Sequence, residues 1–244
     1  MRALTAAAAV ILVAWAATAH AAQESLRLVP LVERVARLHA QSGQGVMAQR
    51  SRKALGEAIH EFDAALRASL AATPATEARE NYVLLAMLWQ DYRDWAQRAP
   101  TRETGRKLRE RTEEVAYQAA KASRLFVESP RASAAATAVR AAQAVTAAQR
   151  IAKVLLWRRW DIRDEGLERE LREARENLPR ALDAIAASPG VGAEDLVQVQ
   201  SAQTQWRFLA DAAAQLEKPG ADARALEFAC KAADHILEAL KRLY

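Results

Sequence analysis

The sequence predicts an all-α protein, an antiparallel helical bundle or bundles built from two related repeats and about seven helices. Three observations carry this. Ala, Leu, Arg, Glu and Gln, the strong helix formers, dominate a 244-residue chain with only eight Gly and seven Pro. Apolar residues recur at alternating steps of three and four. No segment alternates with the period of two that marks a half-buried strand.

Element by element, the chain opens with Met1-Arg2, an apolar run from Ala6 to Ala17, and Ala19-His20-Ala21. A positive start, a short apolar core and small residues around a cleavage point form the layout of a secretory signal peptide over 1–21. The run is shorter than the roughly 20 apolar residues a spanning helix needs. Cleavage after Ala21 would release a periplasmic protein, and an uncleaved leader would tether the same domain to the membrane.

Beyond the leader, helices are expected at 25–72, 76–99, 102–128, 131–161, 164–187, 193–217 and 221–243. The stripes that define them include Leu55, Ile59, Phe62, Leu66 and Leu70, then Tyr82, Leu85, Trp89, Tyr92 and Ala96. Leu108, Thr112, Val115, Ala119, Ala122 and Phe126 follow, then Leu167, Leu171, Ala174, Leu178, Leu182 and Ile185. Leu226, Cys230, Ala233, Leu237, Leu240 and Tyr244 complete the set. Thr73-Pro74, Pro100-Thr101, Ser129-Pro130, Ser188-Pro189-Gly190 and Pro219-Gly220 separate them, with Ser129 read as an N-cap before a first-turn proline. Long helices with short connections pack as bundles.

The order of landmarks repeats. Gln49-Arg50, Asp63-Ala64, Pro74 and Trp89 are followed by Gln149-Arg150, Asp183-Ala184, Pro189 and Trp206. This divides the mature chain into a first repeat at 22–128 and a second at 129–244.

Charge and chemistry narrow the function. Lys plus Arg number 35 against 30 Asp plus Glu, and the signs are interleaved. There is no basic stripe for nucleic acid. Cys230 stands alone, so no internal disulfide forms, and its helical spacing reads as a small buried residue. Glu57 and His60 have the Glu-x-x-His spacing of di-iron bundles, but the other half has no matching histidine, so no metal and no cofactor is expected. Nothing assembles a nucleophile, a base and an oxyanion hole, or a Gly-rich phosphate loop after a strand. The expectation is a non-enzyme. Trp89, Trp95, Trp157, Trp160 and Trp206 read as bundle core, with Trp157-Arg158-Arg159-Trp160 as an alternative exposed aromatic and basic patch.

The segments Gln41-Ser42-Gly43-Gln44-Gly45-Val46-Met47-Ala48-Gln49-Arg50 and Ala141-Ala142-Gln143-Ala144-Val145-Thr146-Ala147-Ala148-Gln149-Arg150 carry a resemblance. They resemble the motif Ala-Gly-Arg-Gln-Arg-Met-Leu-Ser-Gln-Arg of the N-terminal sensor domain of type IV pilus methyl-accepting chemotaxis transducers (PilJ-type), which is similar to NarX-like nitrate sensor domains. The resemblance implies a periplasmic helical sensor, with ligand sites at dimer interfaces and hence a homodimer. It also implies an anion-clamping arginine in mid-motif, where this chain has Gly45 and Val145. The other motif arginine is replaced by Gly43 and Gln143; only Gln49, Arg50, Gln149 and Arg150 remain as candidate ligand-binding residues. A planar guanidinium suits an oxyanion, while the alternative for both arginines is an ion pair or cap inside the bundle.

Two functions are therefore expected as alternatives. One is a periplasmic sensor-like or ligand-binding accessory protein, without its own signalling output, for a small anion or solute or an envelope or signalling partner. The other is a structural or interaction module of the cell envelope with no small ligand.

Overall fold

The computed structural model describes residues 2–74, 77–128, 136–218 and 223–244, with side chains from Ala19 onward. Among these residues it is all-α, with eight helices and no strand. They are α1 (Arg2–Gly43), α2 (Ala48–Ala72), α3 (Glu77–Ala96), α4 (Arg102–Val127), α5 (Ala136–Arg159), α6 (Glu165–Ala186), α7 (Ala193–Leu216) and α8 (Ala223–Leu240).

The eighth helix comes from a break inside the expected helix 25–72. Gly45 adopts φ +74°, its N–H bonds to Ser42 O, and the Val46 N–H reaches back to Gln41 O. That pair of bonds with a left-handed glycine is a Schellman C-cap. Met47 also sits at positive φ before α2 begins. The residues read as the first motif copy are thus a helix-ending turn plus the first residues of α2.

Other boundaries fall where the punctuation predicts. Thr101 caps α4 through a reciprocal capping box with Thr104, and Asp164 caps α6 by accepting from the Leu167 N–H at 2.8 Å. Ser129-Pro130 and Pro219-Gly220 lie outside the described residues.

The packing order repeats. α1 lies against α2 and α4, with α3 against α4 and α2; α5 lies against α6 and α8, with α7 against α8 and α6. The two four-helix units meet through α1 on α5. Contacts at Arg37–Gln149 and Gln44–Leu156 run in the same direction along both helices, so α1 and α5 are parallel neighbours. One core gathers Phe62, Tyr82, Leu85, Trp89, Tyr92 and Phe126, with Phe62 stacked on Trp89 at 3.7 Å between ring centres. The other gathers Ile151, Leu156, Trp157, Leu171, Leu182, Leu209 and Ile236. α1 feeds both: Leu28, Val32 and Val35 enter the first, Leu26, Ala36 and Ala40 the second.

Ala19 and His20 on α1 are exposed, while Ala21 and Ala22 are buried. The leader's apolar run lies among side chains outside the described residues. Among the described residues no helix is long and apolar enough to cross a membrane.

Candidate functional site at the α1–α5 seam

The four candidate residues separate into two environments. Gln49 and Arg50 are exposed on the first turn of α2, and neither makes an ion pair or side-chain hydrogen bond among the described residues. Gln149 and Arg150 lie in mid-α5, facing α1. The Gln-Arg pairs of the two motif copies lie on different helices, α2 and α5.

The seam holds a ladder of polar groups that motif reading did not find. Gln149 is fully buried; it accepts from Arg37 Nε at 2.7 Å and donates to Ala233 O at 3.0 Å. The rest of the Arg37 guanidinium reaches Gln41 Oε1 at 2.7 Å and Asp234 Oδ1 at 2.5 Å. One turn away, Glu33 takes Arg150 through Nε at 2.9 Å and Nη2 at 2.7 Å on one oxygen, and Lys153 Nζ at 2.5 Å on the other. Lys153 also donates to Glu170 Oε2 at 2.9 Å. Glu33 and Lys153 have only 1% of their side chains exposed.

Burial alone would raise the Glu33 carboxyl. The Arg150 and Lys153 charges overcome it and hold the pKa down to about 2. Arg150 is correspondingly pushed up, first by the Glu33 charge. The chemistry is that of an internal ionic lock: the Nε–Nη2 edge of Arg150, the one suited to clamp an external oxyanion, is engaged by the chain's own carboxylate.

The ladder also defines a register. Gln149 and Arg150 stand ten and nine residues before the end of α5, as Glu33 and Arg34 do before the end of α1. In that register Lys153 corresponds to Arg37. Each helix then sends a cation at one position to the residue four earlier on its neighbour: Arg37 to Gln149, Lys153 to Glu33. The structural counterpart of Gln149-Arg150 is Glu33-Arg34, and Gln49-Arg50 lies in the following helix. The Asp landmarks keep their places: Asp63 on α2 accepts from Trp89 Nε1 at 2.7 Å, and Asp183 on α6 accepts from Gln203 Nε2 at 2.9 Å.

Remaining candidates resolve into packing. Trp157 is fully buried, Trp160 is half-buried against Gly43 and Gly105, and Arg158 is paired with Glu168, so no exposed Trp-Arg-Arg-Trp patch forms. Cys230 is buried, which pushes its thiol up to about 11. His60 and His235 are exposed on different helices, while His39 is buried between Ala96 O and Thr104 Oγ1. Among the described residues no group of three or more His, Cys, Asp or Glu is arranged to hold a metal ion.

The chain matches no family model, and neither a curated protein nor a solved structure is similar to it at a significant level.

Proposed function

We propose that this chain is an exported, non-catalytic, sensor-like accessory module of the PilJ-type, in which two repeats form one body and the motif arginine serves as an internal lock. It acts by binding a small solute, and any consequence passes to another protein of the cell envelope. The observation that carries this reading is the Glu33 carboxylate in the fork of Arg150 across two parallel, equivalently placed helices. In a sensor built from two copies, that seam is where separate subunits would meet; here both sides belong to one chain, so a homodimer is not required. Nitrate recognition by the motif is not part of the proposal, because the seam's donors are already engaged.

The test has two arms. The native protein should fractionate with the periplasm and begin at Ala22. Nitrate and nitrite at millimolar concentration should leave its melting temperature unchanged. A cytoplasmic location with Met1 retained rejects the export reading, and a nitrate shift lost in Arg150→Ala rejects the lock.

One observation favours a second reading, an envelope interaction module with no small ligand. α3 exposes Val83, Leu84 and Met87 on one side, at 49%, 46% and 65%. Capture of an envelope protein that is lost in Met87→Glu, with no solute bound, selects it.

A further inference from the structure

Beside the seam, but outside the lock, α1, α2, α5 and α8 border a cleft of about 270 Å³. Its charged side chains are three of each sign: Arg27, Arg34 and Lys241 against Glu57, Glu61 and Glu238. Pro30, Leu31, Val145 and Leu237 supply apolar surface.

Most of these charges are engaged. Arg27 is held by Glu24 at 2.9 Å and Glu61 at 3.0 Å, and Lys241 is paired with Glu238. Arg34 differs. Its side chain is only 14% exposed, its one partner is Glu61, 3.4 Å from Nη1, and its buried Nε makes no hydrogen bond. The Nε–Nη2 edge therefore has no acceptor among the described residues, and its Nε is shut off from solvent. That is the edge with which Arg109 grips both oxygens of Asp164 in this same protein, at 3.1 Å each. Two parallel N–H donors at that spacing match a carboxylate.

Two further lining groups bear on the occupant. Tyr244 is 7% exposed and its hydroxyl makes no hydrogen bond among the described residues. Burial pushes that hydroxyl above its ordinary range, so it remains a donor. Glu57 is held only loosely, 3.7 Å from the exposed Lys53. A buried donor edge without an acceptor is costly, and a bare anion would meet three glutamates. A molecule carrying both charges meets neither penalty.

We propose that this cleft binds a small zwitterionic carboxylate of amino-acid size, its carboxylate on the under-paired Arg34 guanidinium and the Tyr244 hydroxyl, its ammonium toward Glu57. This deepens the binding role proposed above and rests on it. The cleft lies at the lower edge of the several hundred Å³ typical of larger ligands, which limits the occupant to a small molecule.

The test uses the mature chain with glycine, β-alanine and γ-aminobutyrate as probes, against propionate and propylamine as single-charge controls. At a hundredfold excess over Kd, one zwitterion should raise the melting temperature by about 5–10 °C, with binding heat in calorimetry. Arg34→Lys keeps the charge and removes the paired donors; together with Tyr244→Phe it should weaken binding at least tenfold. Arg180→Ala, exposed on α6 and outside the cleft lining, should bind as the parent does. If no zwitterion binds, or propionate binds equally well, or affinity survives in both Arg34→Lys and Tyr244→Phe, the proposal is overturned. A silent screen with periplasmic export intact sinks the cleft alone; the export result judges the broader reading separately.

Discussion

Lys153 on α5 places its ammonium 2.5 Å from the Glu33 carboxylate on α1, with both side chains shut away from solvent. Desolvating such a pair is expensive, so it contributes less to net stability than to fixing one arrangement of the two helices. Its asymmetry under mutation is the informative part. Lys153→Met leaves Glu33 with Arg150 alone and should cost about 3–5 kcal/mol in denaturant unfolding, the range for breaking a buried pair. Adding both Glu33→Leu and Arg150→Met should recover most of that loss, since an apolar trio of similar volume replaces the ionic one and leaves no stranded charge. If the triple variant is less stable than Lys153→Met, the lock contributes more than its geometry implies.

The same carboxyl gives a pH signature. Its folded pKa is about 2 against an ordinary 4.5. A carboxyl depressed by folding stabilises above its unfolded value and loses that contribution as pH falls toward the folded one. Stability should therefore decline between about pH 4.5 and about pH 2. Glu33→Gln should be less stable at neutral pH and should show a shallower decline across that window. Parallel curves for the two proteins would assign the acid sensitivity elsewhere.

Trp160 seals the end of the seam. A methyl group on Gly105 would come within 2.7 Å of its ring, and one on Gly43 within 2.5 Å. Gly105→Ala should then destabilise by about 1–3 kcal/mol, as overpacking does. Trp160→Leu, costly by itself, should make Gly105→Ala nearly neutral in the double variant. A thermodynamic cycle over the four proteins measures the coupling.

Two other glycines should move stability in opposite directions. Gly56 is exposed inside α2 with open space around it, so Gly56→Ala should add about 0.5–1 kcal/mol. Gly45 also has open space, but its φ of +74° is one that L side chains resist. Gly45→Ala should cost about 1–2 kcal/mol. Equal effects at both sites would mean that the α1–α2 turn tolerates a rearranged backbone.

Sequence periodicity revealed most of the interior because burial is a property of spacing. The stripe Leu167, Leu171, Ala174, Leu178, Leu182 and Ile185 is the full buried set of α6, and Tyr82 through Ala96 is buried as expected. The stripe from Leu55 to Leu70 is half-buried at both ends, where those two side chains pack against the edge of the core. The α1–α2 break escaped because Gly43, Gln44 and Gly45 were read as a motif, although a glycine at a helix end is itself a stop signal. The polar ladder was less visible. Glu33, Arg37 and Lys153 look like ordinary solvated residues until two distant helices are set side by side in parallel. Even so, four apolar or small residues surround Arg37 (Val35, Ala36, Leu38 and Ala40), a hint that its helix has little exposed surface.

α1 is wedged between both cores, and that has a consequence for any attempt to divide the molecule. A fragment beginning after residue 128 would lose Leu26, Ala36 and Ala40 from its core and leave Lys153 with Glu170 alone. A fragment ending there would leave Glu33 without Arg150 and Lys153, and Arg37 with Gln41 alone. Neither piece inherits a finished surface, so cutting the polypeptide at the apparent midpoint should yield two aggregation-prone products instead of two miniature proteins. Fusions and truncations should leave the whole α1-to-α8 path intact.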